Sequence, residues 1–418
     1  MGIKASLPVY AVEDVPGKGK GVIATRDIPK GTRIISEKPF VTGSHQVTSM
    51  EELQIRIHEQ VCSLNESQQR EFFSMHNIYP YTNSIERCLG IFRTNALPIG
   101  TDLDNGGVFL NACRVNHACD NNAQNFWNEN INRLTIHAVR DIQEGEEITI
   151  YYLGSRRNRR ARQEQLQKEF KFTCSCQLCS LPLDQSNDSD EKLDRIYKLD
   201  CIIELGGIPG LTSSPQRMLS YVDEQIRLWN EPTPDEVGLA RAYPDAFQIA
   251  IANGDLARGR IFAERLLSLY STTLGDDSPD VIQYSELARN PSAHQYYGMS
   301  MVWKTSLDEV PQRLRPKELE DWLWKRDNRI AQGQLADLRD RLTFPSFSDL
   351  PDEREMESKY FEYGDGISPR PVCHWCFLAE VPDIESSVRP RMTIKDADGM
   401  IVPFSFHIVH RGKELAKF

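Results

Sequence analysis

The chain of 418 residues lacks the features that mark membrane proteins and nucleic-acid binders. No apolar run approaches the ~20 residues of a transmembrane helix, and the N-terminus has no apolar core like that of a signal peptide. Lys and Arg number 49 against 60 Asp and Glu, which gives a net charge of −11. We therefore expect a nuclear or cytoplasmic monomer that binds no membrane and no nucleic acid directly. Its negative charge would attract a basic protein or peptide.

Cysteines, in contrast, are plentiful and unevenly spread. Ten cysteines in an intracellular chain indicate metal ligands or free thiols rather than disulfides. Cys174, Cys176 and Cys179 lie within six positions, where three thiolates can converge on one cation. Tetrahedral zinc needs a fourth ligand, and Cys201 is too remote to complete the same cluster. Cys119 is a suitable fourth ligand; three buried free cysteines are the alternative.

The first 152 residues predict a β-rich region with a helical insert. Short apolar segments alternate with turns, among them the glycine-rich Pro16–Gly21. Arg133–Val139 and Ile148–Tyr152 have the composition of strands. Between 41 and 107 the pattern is mostly helical, with apolar residues at helical spacing at Met50, Leu53, Ile57, Val61 and Leu64. A charged helix is predicted over 154–168.

The rest of the chain predicts a mainly helical region. Leu181–Glu191 is polar and rich in Asp and Ser, which indicates a linker. Residues from about 192 to 342 have helical patterning. Tyr243–Leu267 predicts two antiparallel helices joined by an Asn-Gly-Asp turn, which is typical of tetratricopeptide-like (TPR-like) hairpins and equally of a generic helical bundle. The predicted fold class is therefore α+β.

The last 51 residues, 368–418, predict a small β tail of unknown role. Met392–Pro403 has the pattern of two strands around an Asp-Gly turn. Cys373 and Cys376, with His374, His407 or His410, could hold a second zinc ion. A single Cys-x-x-Cys pair is a weak signal, so a β element with incidental cysteines is the alternative.

Four segments occur in an order that resembles the SET-domain protein-lysine methyltransferases. They are the glycine loop with Arg26–Gly31, Asn116-His117-Ala118-Cys119, Gly145–Tyr152 and Phe172–Cys179. Taken singly, the first two are more simply turns, and Tyr152 is more simply a core residue. The insert, the cysteine spacing and the helical C-terminal region are most similar to the SET-and-MYND branch and its fungal relatives. The resemblance covers roughly 7–180, with looser similarity to about 342.

The resemblance implies a SET domain at 7–152, a post-SET zinc segment at 153–180, and S-adenosylmethionine as the methyl donor for a lysine side chain. Tyr152 would be the catalytic residue, lining the place where lysine and methyl group meet. The implied cofactor-binding residues are Lys18, Gly19, Lys20, Gly21, Asn116, His117, Tyr152 and Phe172. The implied zinc ligands are Cys119, Cys174, Cys176 and Cys179.

The chain departs from the family pattern in four places. No MYND finger interrupts the first half, Ala118 replaces the usual Ser, and Asp120–Asn122 lacks the Pro often found there. Tyr151 stands where Asp or Ser is common. These departures leave open an alternative function, a catalytically weak SET scaffold whose helical region binds other proteins.

A cluster of five arginines stands out in this acidic chain, at Arg156, Arg157, Arg159, Arg160 and Arg162. A solvated helix face that pairs with Glu164 and Glu169 is the favoured interpretation. The alternative is a nuclear-localisation or partner-binding patch.

Overall fold

The computed structural model describes residues 8–44, 49–100 and 105–326, and five strands after residue 360. The chain divides into two units, one ending at Arg326 and the other beginning at Asp327. In the described residues no helix is long and apolar enough to cross a membrane.

The β-rich part of the first unit forms three small sheets. Their strand orders are β1-β2-β10-β7, β3-β9-β8 and β4-β6-β5. The strands are β1 (Tyr10–Val15), β2 (Gly19–Ala24), β3 (Arg33–Glu37), β4 (Val41–Ser44), β5 (Leu97–Pro98), β6 (Asn105–Val108), β7 (Asn116–His117), β8 (Ala123–Asn128), β9 (Arg133–Ala138) and β10 (Glu147–Ile150).

The four-stranded sheet brings together three segments that are distant in sequence. Strand β10 pairs antiparallel with β2 and parallel with β7, so that Thr149 lies opposite Asn116 and Ile150 opposite His117. The β1–β2 hairpin turns through Gly17, and both Gly17 and Gly19 have φ of 75°, a conformation that favours glycine. Tyr152 lies two positions beyond β10, next to the end of β7.

The predicted helical insert is present as three helices, α1 (Met50–Ser63), α2 (Glu66–Phe73) and α3 (Ser84–Asn95). Helix α1 begins where the Ser49 side chain accepts a hydrogen bond from the Glu52 amide. Of its predicted stripe, Leu53, Ile57 and Val61 are buried in one apolar cluster with residues of α2 and α3, and Leu64 packs against that cluster. Met50, the first member of the stripe, is exposed. The spacing of apolar residues therefore predicts the buried face correctly except at Met50.

The described part of the first unit contains seven further helices. They are α4 (Arg159–Phe170), α5 (Leu183–Ser213), α6 (Pro215–Trp229), α7 (Glu236–Ala252), α8 (Leu256–Leu274), α9 (Pro279–Arg289) and α10 (Pro316–Leu323). Helices α7 and α8 are the predicted pair, joined by Asn253-Gly254-Asp255. A TPR-like arrangement stays a prediction. Residues 327–342, expected in the helical region, lie outside the described residues.

The predicted linker at 181–191 is wrong, because α5 begins at Leu183. One of its acidic residues caps the neighbouring helix: the Asp190 carboxylate accepts a hydrogen bond from the Arg159 amide at 2.6 Å. Further along α5, Asp194 accepts a hydrogen bond from the Asn158 side chain at 2.9 Å. The polar composition that predicts a linker therefore includes a partner for a backbone amide in the first turn of α4.

Five short strands are described in the second unit. They are β11 (Phe361–Glu362), β12 (Arg370–Pro371), β13 (Ala379–Glu385), β14 (Arg391–Asp396) and β15 (Ile401–Ser405). Strands β14 and β15 pair antiparallel, as predicted for Met392–Pro403. Cys373 and Cys376 lie outside the described residues, so a second zinc site stays a prediction.

The β-rich and helical parts of the first unit are joined by a polar contact around Arg33. Its guanidinium binds the Asp277 carboxylate in the loop after α8, and its Nε lies 3.0 Å from His137 Nε2. The Asn128 amide donates to the same carboxylate at 2.8 Å. Gly275 allows this close approach: a Cβ there would lie 2.6 Å from Arg33 Nη2 and 2.7 Å from His137 Nε2.

We expect Gly275→Ala to destabilise the fold. Gly275 has φ of 89°, so an alanine there would be strained and would also displace Arg33 and His137. A loss of about 1–3 kcal/mol in the free energy of unfolding is expected, measured by denaturant titration. Gly154→Ala is the control, because no heavy atom lies within 4 Å of a Cβ built there. Equal stability of the two variants would contradict the proposed contact.

Candidate functional site

Asn116, at the start of β7, is held by two acceptors. Its Nδ2 donates to Glu147 Oε1 at 2.8 Å and to the Lys20 carbonyl at 3.1 Å. The other carboxylate oxygen of Glu147 forms an ion pair with Lys18 Nζ at 2.6 Å. No donor among the described residues reaches Asn116 Oδ1. This oxygen is therefore a fixed acceptor, free for a ligand.

Gly21, unlike the other predicted cofactor residues, packs against neighbouring side chains and does not line the cavity. A Cβ at this position would lie 2.5 Å from Val15 Cγ2 and 2.9 Å from Asn116 Nδ2. Glycine is thus needed so that the Asn116 amide can lie against β2. Gly21 is not among the residues that line the neighbouring cavity.

His117 is buried and neutral. Its Nδ1 accepts a hydrogen bond from the Tyr152 amide at 3.0 Å, which places the ring proton on Nε2, 3.3 Å from Cys119 Sγ. Burial lowers the pKa of His117 to about 4. Both ring nitrogens are engaged, so a ligand could contact His117 through its ring carbons or its backbone.

The Tyr152 hydroxyl donates its proton to the Val115 carbonyl at 2.7 Å. Burial raises the pKa of this phenol, so the group stays protonated. The ring lies between those of His117 and Phe170, with centroids at 5.3 Å and 5.1 Å. Tyr152 is therefore placed to orient a reactant through its oxygen rather than to remove a proton.

A cavity of about 730 Å³ unites these residues. This volume is typical of a small-molecule site. Seven of the eight predicted cofactor residues line it, namely Lys18, Gly19, Lys20, Asn116, His117, Tyr152 and Phe172. Phe170 and Lys171 also contribute, beside Phe172.

Sequence reasoning missed one wall of this cavity, which the helical insert supplies. Residues Ser74–Asn77, after α2, and Thr94 and Asn95, at the end of α3, line it. The buried Arg114 holds this wall in place by donating to the Glu71 carbonyl at 3.0 Å and to Ser74. Arg114 adjoins the Asn-His motif, but its partners are some 40 positions away, so no local signal indicates the contact.

A second missed residue is Asn122, which fixes β10. Its Oδ1 accepts from the Thr149 amide at 2.8 Å, and its Nδ2 donates to the Glu147 carbonyl at 2.9 Å. The side chain is almost fully buried. Asn122 therefore sets the position of Glu147 and, through it, of Asn116.

The departures from the family pattern are accommodated locally. Asn121 donates to the Ala123 carbonyl at 2.8 Å and accepts from Arg156 at 3.1 Å, so this turn is stabilised without proline. The Tyr151 hydroxyl donates to the Ser155 carbonyl at 2.9 Å. Ala118 is buried.

Four cysteines form a compact cluster. The sulfur atoms of Cys119, Cys174, Cys176 and Cys179 all lie within 4.8 Å of one another. Cys119 and Cys179 are 3.5 Å apart. Zn–S bonds of about 2.3 Å in a tetrahedron place sulfurs about 3.8 Å apart, so the cluster fits a zinc ion. Cys119 joins the cluster, as predicted from the sequence.

Hydrogen bonds among the four thiols shift their acidities in opposite directions. Hydrogen bonding by Cys119 lowers the pKa of Cys176 to about 5 and also lowers that of Cys179, whereas hydrogen bonds within the cluster raise the pKa of Cys119 and that of Cys174. The Gln163 side chain fixes the cluster segment by bonding both the amide and the carbonyl of Cys174, at 2.9 Å and 2.7 Å. Asp120 accepts from the Leu178 amide at 3.2 Å.

The arginine cluster is only partly the solvated face that the sequence predicts. Arg160 fits that interpretation, since it is 88% exposed and pairs with Glu164. Arg156 and Arg162 do not, because their side chains are only 12% and 2% exposed. Arg157 packs over the Tyr197 ring at 3.7 Å. A charged run gives no local sign that two members turn inward toward the cysteines.

Comparison with known proteins supports the family resemblance independently of the site geometry. The SET domain pattern matches residues 19–153. The chain is 31% identical over 327 residues to "Histone-lysine N-methyltransferase set5" of Schizosaccharomyces pombe, covering 76% of this chain and 94% of that protein. Human "Protein-lysine N-trimethyltransferase SMYD5" is 35% identical over 92 residues, covering 21% of this chain and 22% of that protein. Human "Histone-lysine N-methyltransferase SMYD3" is 36% identical over 84 residues, covering 20% and 18%.

We expect Cys176→Ser to lose metal. The protein as purified should contain zinc, and this variant should contain about one zinc per chain less, because a tetrahedral site loses one of its four ligands. Atomic absorption of wild type and variant measures the difference. Cys62→Ser is the control, since Cys62 is exposed and outside the cluster. Equal zinc in the Cys176 variant and wild type would refute the assignment.

Proposed function

The chain belongs to the SET-domain family of protein-lysine methyltransferases, and we propose that it transfers the methyl group of S-adenosylmethionine to a lysine side chain of a basic protein. The observation that carries the cofactor assignment is the cavity of about 730 Å³, in which seven of the eight expected cofactor residues meet. Two similar proteins are named as histone methyltransferases, and the net charge of −11 suits a basic substrate.

Asn116 is proposed to recognise the amino-acid part of the cofactor. Its free Oδ1 suits the cofactor's ammonium group, because Glu147 and the Lys20 carbonyl occupy Nδ2. Lys18 and Lys20 line the same cavity and supply positive charge for the carboxylate. Phe172 offers an aromatic surface for the adenine.

The bound cofactor supplies an electrophilic methyl group on a positively charged sulfonium. The attacking lysine must be neutral, although its ordinary pKa is about 10.4. The Tyr152 and Phe170 rings provide an apolar surface, and desolvation beside a cation lowers the pKa of a lysine. The Tyr152 hydroxyl donates to Val115, so its oxygen is left to align the reacting groups.

Zinc is proposed to close the cavity. Cys119 follows β7, whereas Cys174, Cys176 and Cys179 directly follow Phe170 and Phe172. An ion held by all four would fix the two aromatic residues against the Asn-His segment. The metal would thus have a structural role, because four protein ligands leave no open position for substrate.

The proposal also covers the cellular setting. A nuclear or cytoplasmic location suits a protein that acts on histones or other basic proteins, and a monomer has all the proposed site residues in one chain. The alternative scaffold function predicts a folded protein that does not bind the cofactor. The local accommodation of Ala118, Asn121 and Tyr151 favours the enzyme.

Tyr152→Phe tests the catalytic assignment. We expect methyl transfer to core histones or a basic peptide library to fall on the order of 10²-fold, because one oriented hydroxyl is lost. Cofactor affinity, measured by calorimetry, should change little. Tyr79→Phe is the control, since this tyrosine is outside the cavity. Wild-type protein that binds no S-adenosylmethionine would overturn the enzyme proposal. Unchanged transfer by the variant would overturn only the part assigned to Tyr152.

Glu147→Ala tests the orientation of Asn116. Without the carboxylate the amide can rotate and Lys18 loses its ion-pair partner, so cofactor affinity should fall roughly tenfold. Calorimetric titration with S-adenosylmethionine measures this change. Glu144→Ala is the matched control, because that neighbouring glutamate is exposed. An affinity equal to that of the control would mean that Glu147 has no part in holding Asn116.

A further inference from the structure

We propose that Arg162 is a positioning residue of the metal centre, where its buried guanidinium donates an N–H···S hydrogen bond to Cys179 and balances the charge of the four thiolates. The inference rests on the zinc site proposed above. It extends that site from the four ligands to a charged group in the surrounding helix α4.

The placement of Arg162 points toward the cluster. Its side chain is 2% exposed. Nη2 lies 3.8 Å from Cys179 Sγ, and Nη1 donates to the Arg157 carbonyl. Its Nε is buried and has no hydrogen-bond partner among the described residues. The one hydrogen bond to a backbone carbonyl therefore does not explain why this charged guanidinium is buried.

The charge of Arg162 needs a partner that the carboxylates provide only weakly. Asp190 is the one carboxylate within 4.0 Å of it in the described part of the chain, and it stands at that limit. The same Asp190 oxygen accepts from the Arg159 amide at 2.6 Å. A buried cation without a close counter-charge is strongly unfavourable, so the negative charge must come from elsewhere.

The cysteine cluster supplies that charge. Four thiolates around one Zn²⁺ carry a net charge of −2, which also needs compensation in a buried setting. Arg162 contacts a sulfur of the cluster, and Arg156 donates to the Cys119 carbonyl at 2.9 Å. Arg156 also has the Asp235 carboxylate at 3.4 Å, so Arg162 is the cation whose charge the metal centre balances. Groups that support metal ligands in this way change metal affinity by about 10- to 100-fold.

The test compares zinc release from loaded, full-length protein to a chromophoric chelator. We expect Arg162→Met to release zinc about 10 to 100 times faster than wild type. Arg162→Lys keeps the charge but not the planar donor, so its rate should be intermediate. Arg160→Met is the matched control on the same helix, because Arg160 is 88% exposed and does not contact the cluster. It should release zinc at the wild-type rate.

The absorption spectrum of the cobalt-substituted protein reports on the cysteine sulfurs directly and does not change merely because a variant is less stable. Loss of a donor to Cys179 raises the energy of the sulfur electrons, so the thiolate-to-cobalt charge-transfer band of Arg162→Met should shift to lower energy. Thermal unfolding in excess zinc checks that each variant is folded. If the Met variant fails to fold, the Lys variant carries the test through its release rate.

Two outcomes would overturn the inference, and they are distinguishable. A wild-type chain that takes up no metal would remove the proposed zinc site and the inference with it. A wild-type chain that binds zinc, with Arg162 variants that match it in release rate and in cobalt spectrum, would remove only the assignment of Arg162.

Discussion

The buried imidazole of His117 connects the cavity with the cysteine cluster through its two ring nitrogens. His117 accepts a hydrogen bond from the Tyr152 amide with Nδ1, and its Nε2 lies 3.3 Å from the sulfur of Cys119. The ring can make both contacts because burial keeps it neutral. Asn116 on one side of it faces the cavity, and Cys119 on the other joins the cysteine cluster. The position of Tyr152, the proposed catalytic residue, is thus tied to the position of Cys119, a proposed metal ligand.

This constraint explains why distant segments meet at one place. The parallel pairing of β7 with β10 sets His117 beside Tyr152. Asn122 holds β10 in place by accepting a hydrogen bond from the Thr149 amide. The cluster in turn brings the Phe170–Phe172 segment to the same place. A cofactor in the cavity would therefore contact a β-hairpin, the Asn-His segment and the aromatic segment together. Each of these depends on the others for its position.

Much of this arrangement could be predicted because its signals are local. The glycine hairpin, the stripe of Leu53, Ile57 and Val61, and the dense cysteines each follow from a short pattern with a physical cause. What could not be predicted depends on long-range contacts. The polar residues at the start of α5 predict a linker, whereas in the structure Asp190 accepts a hydrogen bond from the Arg159 amide of α4. The inward-turned guanidinium of Arg162 lies 3.8 Å from the sulfur of Cys179, 17 positions away in the sequence.

Coupling between the proposed metal and cofactor sites can be measured in one calorimetric comparison. S-adenosylmethionine is titrated into zinc-loaded protein, into protein stripped by a chelator, and into stripped protein that has been reloaded. Binding should be lost on stripping and restored on reloading, because without the metal Cys119 and the Phe170–Phe172 segment are no longer held together. Equal affinity in the loaded and stripped forms would mean that the two sites are independent.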